Sequence, residues 1–109
     1  MATLYQLHST MATLRRSTEE MSRTWRTGDS IMLLGSTPAF IDWLNAYLND
    51  SDIDGIAGIY ALADDIEQLT ANTTGKLNLE TKLTAILNDA EWVNLTQSIQ
   101  FDKVVTIAL

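Results

Sequence analysis

At 109 residues, 46% hydrophobic and 19% charged, the chain has the composition of one globular domain and not of a disordered segment. Its net charge of −7 argues against direct binding of tRNA or DNA, whose phosphates it would repel. It has no cysteine, which excludes disulfides and any side-chain persulfide, because only a thiolate takes up and passes on sulfur at neutral pH.

Strand and helix patterns alternate along the chain. They predict one α/β domain over residues 1–109, a three-layer α/β/α arrangement with a mostly parallel sheet of about five strands. Residues 4–7 read as the first strand. Arg15 and Arg16 among Ser and Thr faintly suggest a targeting segment, but Glu19, Glu20 and the lack of an apolar stretch assign them to the first helix. Met11, Leu14, Thr18, Met21 and Trp25 form its apolar stripe, Ser17 and Glu20 stand in capping-box spacing, and Gly28 closes it. Residues 31–34 are an unbroken apolar run, the mark of a strand buried on both faces. Thr37 as cap and Pro38 at the first helical position open a second helix, with Phe40, Ile41, Leu44, Tyr47 and Leu48 on its buried face. Residues 56–62 form a third strand, where small Ala57 and Gly58 allow close packing. Asp64 and Glu67, again in capping-box spacing, start a short helix through Ile66 and Leu69, and residues 72–75 turn the chain. Residues 82–87 are a fourth strand. Asn88 and Glu91 then cap a helix carrying Trp92, Leu95 and Ile99, and residues 104–109 are a last, β-branched strand. An exposed sheet edge there would be covered by subunit contact. No apolar run reaches the ~20 residues of a bilayer span, and the absence of cysteine agrees with a reducing cytoplasm.

Charge is unevenly placed. All four arginines, Arg15, Arg16, Arg23 and Arg26, precede Gly28, whereas residues 29–65 hold seven aspartates and no cation. That asymmetry suits docking of a basic helix face on one neighbour and an acidic surface on another, although a solvated helix and ordinary loop aspartates are the plainer account. Little resembles an active site. The stretch Gly35-Ser36-Thr37-Pro38 has one glycine and a proline that lacks a donor N–H, so it is a poor phosphate loop, with an anion at the helix start as a second reading. His8 is the only histidine; its neighbours Ser9 and Thr10 on a strand end point away from it, so a buried hydrogen-bonding or interface role is expected before catalysis. One histidine with carboxylates alone makes no metal site. Asp64 and Asp65 are explained by the following helix start more simply than by a magnesium pocket. Trp43 lies just off the buried stripe of its helix beside Phe40 and Tyr47, as a core rim or as an anchor for a partner.

Four stretches resemble the TusB/DsrH family, the small subunit of the TusBCD and DsrEFH sulfur-relay complexes. Leu4-Tyr5-Gln6-Leu7-His8 is similar to the family's first strand, Leu-His-Thr-Leu-His. Gly28-Asp29-Ser30-Ile31-Met32-Leu33-Leu34 resembles its Gly-Asp and apolar strand, and Tyr60-Ala61-Leu62-Ala63-Asp64-Asp65-Ile66 its Tyr-Ala-Leu-x-x-Asp-Leu. Asp89-Ala90-Glu91-Trp92-Val93-Asn94-Leu95-Thr96 is similar to its Tyr-x-Asp/Gly-Phe-Val-x-Leu-Thr helix. The chain departs from the family at Thr10-Met11 in place of Ser-Pro, at Gly35 to Pro38 in place of Gln-Asp-Gly-Val, and in lacking a C-terminal tryptophan. Some sulfur-oxidiser members carry a cysteine on the first helix, at about Met21 here. The resemblance implies a Rossmann-like subunit of the cysteine-free type associated with tRNA 2-thiolation. It would join TusC/DsrF-like and TusD/DsrE-like partners in a dimer of heterotrimers, with the persulfide cysteine on the TusD-like partner. The expected role is a non-catalytic cytoplasmic scaffold without cofactor, metal, membrane or direct nucleic-acid contact, its partner interface at His8, Arg23, Arg26, Trp43 and Tyr47. The alternatives are a stand-alone domain for a small anionic ligand at Ser36-Thr37 or Asp64-Asp65, or a subunit of a DsrEFH-like sulfur-oxidation complex.

Overall fold

The computed structural model describes residues 2–72 and 82–108. In chain order these form β1 (Ala2–Leu7), α1 (Leu14–Ser22), β2 (Ser30–Leu33), a 3-10 turn (Thr37–Phe40), α2 (Ile41–Asp50), β3 (Gly58–Leu62), α3 (Ala63–Asn72), β4 (Ala85–Leu87), α4 (Asp89–Thr96) and β5 (Phe101–Ile107). The strands make one sheet in the order β4-β3-β2-β1-β5, and every neighbouring pair is parallel. This is the α/β, Rossmann-like architecture that the alternating pattern predicts.

Topology decides which helix covers which face. From β1 through β4 the chain steps in one direction across the sheet, and right-handed crossovers place the intervening helices on the same face. It then returns past β1 to lay down β5, which puts α4 on the other face. Because strand side chains alternate, odd positions of β1 and β2 (Tyr5, Leu7, Ile31, Leu33) join Leu14 and Met21 of α1 and Ile41, Leu44 and Leu48 of α2 in the larger core, with Ile66 of α3 against it. Even positions (Leu4, Met32) join Leu62, Leu87 and Phe101 in a smaller one, against which Trp92 and Leu95 of α4 pack. All four residues of β2 are buried, as expected of a strand covered on both sides.

The two faces are unequally covered. The eight-residue α4 has no fully buried residue, and Leu34, Tyr60 and Ala85 beneath it stay only partly buried. What anchors α4 is polar: the Trp92 indole N–H donates to Gln6 Oε1 at 2.8 Å, and Gln6 Nε2 donates to Thr106 Oγ1 at 3.0 Å.

Several local expectations are corrected. The first helix begins at Leu14, so Ser17 lies inside it with its hydroxyl on that of Ser9, and it ends at Ser22, ahead of Gly28. Thr37 does not cap α2; its hydroxyl is bonded to Ser9. Since α3 starts directly at Ala63, Asp64 sits in its first turn and not at its cap. β4 begins at Ala85, and Ile99 lies beyond α4 and is 92% exposed. Residues 73–75 of the expected turn and the Leu69 side chain lie outside the described residues. No helix among the described residues is long and apolar enough to cross a membrane.

Candidate functional site

The five residues expected at a partner interface fall into three places. His8 stands at the carboxyl end of β1, where open parallel sheets hold ligands beside the strand at which the chain changes direction. It is exposed, contrary to any buried role, and its imidazole makes no hydrogen bond among the described residues. Its main-chain N–H donates to the Ile107 carbonyl at 3.0 Å, so the backbone is held while the ring is free. The ring lies over Gly35, whose φ is +61°; a Cβ there would come within 2.6 Å of His8 Nε2. Two of the donors that an anion could use at this end are already engaged. Gly35 N–H donates to Asp65 Oδ2 at 2.9 Å, and Thr37 Oγ1 accepts from Ser9 N–H at 2.9 Å and donates to the Ser9 carbonyl at 3.2 Å. A bound anion would also face the Asp65 carboxylate that holds the Gly35 N–H. Among the described residues no three His, Asp or Glu side chains converge as metal ligands.

Trp43 and Tyr47 lie on α2, one turn apart, with ring centroids at 6.4 Å. Tyr47 is partly buried against the larger core. Trp43 is 56% exposed, so more than half of this large aromatic residue is left in water.

Arg23 and Arg26 do come together, at the amino end of the sheet. They line a cleft of about 440 Å³ with Thr3, Tyr5, Thr24, Trp25, Asp102, Lys103 and Val105. Its wall is fixed from below. Asp29, 1% exposed, accepts at 2.8 Å from the Thr3 N–H through Oδ1 and from the Arg26 N–H through Oδ2. Trp25 packs on Tyr5 at 5.6 Å and donates its indole N–H to the Asp54 carbonyl at 2.8 Å. The Tyr5 and Thr24 hydroxyls are hydrogen-bonded at 2.7 Å. Arg23 is shared with Glu20 at 3.3 Å, both ends more than half exposed, a contact worth little in water. Arg26 and Lys103 form no ion pair among the described residues.

Sequence reasoning missed Lys103, Thr3 and the structural part played by Asp29. The Gly28-Asp29 step before an apolar strand was the available signal for Asp29. Nothing in the sequence placed Lys103 beside Arg26, because that requires knowing that the first and last strands pair. No protein-family model matches the chain, and no curated protein matches it.

Proposed function

We propose that the chain is a non-catalytic structural subunit of a cytoplasmic sulfur-relay complex, one that supports 2-thiolation of the tRNA wobble uridine. TusC/DsrF-like and TusD/DsrE-like partners complete a dimer of heterotrimers, and the persulfide travels on the TusD-like subunit. The observation that carries this reading is the thinly covered second face. An eight-residue helix without a fully buried side chain lies over Leu34, Tyr60 and Ala85, and a neighbouring subunit seated there would remove that apolar surface from water. Exposed Trp43 on the opposite layer supplies a second anchor.

The chemistry agrees with a scaffold. With no cysteine the chain holds no persulfide, and the position at which some sulfur-oxidiser members carry a cysteine falls at about Met21, a methionine that is fully buried here. This favours the tRNA-thiolation pathway over sulfur oxidation. The stand-alone reading at Ser36-Thr37 is weakened, since Gly35 N–H and the Thr37 hydroxyl already have partners.

The test is light-scattering mass after co-expression with homologous DsrE- and DsrF-like chains. A heterohexamer that falls apart when this chain is left out is the expected result. A monomer that ignores both chains overturns the proposal.

A further inference from the structure

β5 is the outer strand of the sheet, and no described strand pairs with its free edge. The side of the strand that faces outward can be read from the ladder. The Ile107 carbonyl accepts from His8 N–H, and both main-chain groups of a strand residue point the same way. Odd positions of β5 therefore turn their N–H and C=O toward β1, whereas Val104 and Thr106 turn theirs outward, unpaired among the described residues. Such an edge is a template for another extended chain.

The side chains beside that edge are selective. Lys103 and Val105 stand opposite Thr3 and Tyr5 on the α1 face, where the cleft adds Arg23 and Arg26. The cleft thus gathers three of the seven Lys and Arg residues of a chain of net charge −7. Asp102 is the one carboxylate lining it, and it is the unopposed residue of the register shift between Phe101 and Lys103. Arg23 already shares an exposed contact with Glu20, whereas Arg26 and Lys103 form no ion pair among the described residues and favour an incoming negative charge. The Arg26 backbone is already held by Asp29, which lowers the ordering needed there on binding.

We infer that the β5 edge receives an extended acidic segment of a partner protein, which adds as a sixth strand through the main-chain groups of Val104 and Thr106. A carboxylate on the added strand beside Lys103 meets the ammonium group and the two guanidinium groups. The residue two positions away on the same face lies beside Val105 and is apolar. The recognised pattern is an acidic and an apolar residue separated by one position, whichever way the segment runs. The inference stands whether or not that partner belongs to a sulfur relay.

The test uses the full chain and a labelled peptide repeating Glu-Thr-Val-Thr, followed by fluorescence anisotropy and amide chemical shifts at low salt. Saturable binding that moves the Val104 and Thr106 amides is expected, with a Lys-Thr-Val-Thr peptide failing to bind. Combined Arg26→Glu and Lys103→Glu, both at exposed positions, should weaken binding by about tenfold or more. Val104→Pro should weaken it comparably, because it removes an outward donor and leaves the ladder to β1 intact. Equal binding of the acidic and basic peptides, or binding that survives the double charge reversal, overturns the inference. So do two other outcomes: inorganic phosphate saturating the cleft while the peptide leaves the Val104 and Thr106 amides unmoved, and a self-associated dimer through β5 that excludes the peptide.

Discussion

Asp29 shows how one side chain organises distant backbone. Its carboxylate takes N–H groups from Thr3 on β1 and Arg26 after α1, joining segments that no regular element connects. Replacing it leaves two partly buried donors without a partner, so Asp29→Ala should cost about 3 kcal/mol in urea unfolding. It should also broaden the amide signals of Thr3 and Arg26. Its neighbour Ser30 is the opposite case. The Ser30 hydroxyl is buried without a hydrogen-bond partner among the described residues, a cost that a methyl group avoids. Ser30→Ala is therefore expected to leave stability within about 0.5 kcal/mol of the parent or to raise it. At Gly35 the left-handed φ and the His8 ring both oppose a side chain. Gly35→Ala should cost about 1 kcal/mol and displace the imidazole, seen as shifted His8 ring resonances. The three effects differ because burial, satisfaction and backbone conformation differ, although all three residues lie in or beside the same β2 strand.

At the scale of elements, one motif had three candidate positions and formed at one. Asn88 and Glu91 make a complete capping box: Asn88 Oδ1 accepts from the Glu91 N–H at 2.8 Å, and Glu91 Oε1 accepts from the Asn88 N–H at 3.0 Å. Ser17 and Asp64 stand at the same spacing from Glu20 and Glu67, yet Ser17 lies inside α1 and Asp64 in the first turn of α3, not at the helix start. The first helix starts a turn earlier at Leu14, whose side chain is fully buried; burying that leucine outweighs a late cap. α3 follows β3 without a connecting residue, which leaves no room for a cap at Asp64. Because α4 buries so little, its cap matters more than usual. Asn88→Ala should destabilise by about 1 kcal/mol, with amide exchange at residues 89–92 rising before that of the central strands. The apolar stripes of α1 and α2 were legible in the sequence, since Leu14, Met21, Ile41, Leu44 and Leu48 are buried at helical spacing. The extent of the last strand was not. Residues 104–107 do lie in β5, but the strand begins at Phe101, which pairs with Ala2 and is buried, while Val104 and Val105 at its centre are 40% and 37% exposed, so local hydrophobicity did not mark where it starts.

For the whole molecule, the sheet order sets a gradient of protection. β1 and β2 are paired on both edges and covered on both faces, whereas β5 is paired on one edge and α4 rests on a small core. Native-state hydrogen exchange should therefore show the slowest amides in β1 and β2, and opening of β5 and α4 at lower free energy. Exchange as slow in β5 as in β1 would mean that its free edge is covered in solution. The same gradient makes the edge strand and the region beneath α4 the parts that a neighbour would order most.

The amino-acid sequence by itself determined the α/β class, the alternation of elements, the buried stripes of two helices, the cap at Asn88 and the incapacity to carry a persulfide. Each of these depends on residue type and on spacings of a few residues, which local geometry converts directly into structure. The tertiary structure alone decided that Thr3, Arg26 and Lys103 share one cleft, that Asp65 occupies the Gly35 donor, and that one face of the sheet is left thinly covered. Those juxtapositions depend on the return of the chain past β1 to form β5, a pairing across about a hundred residues that no short-range periodicity encodes.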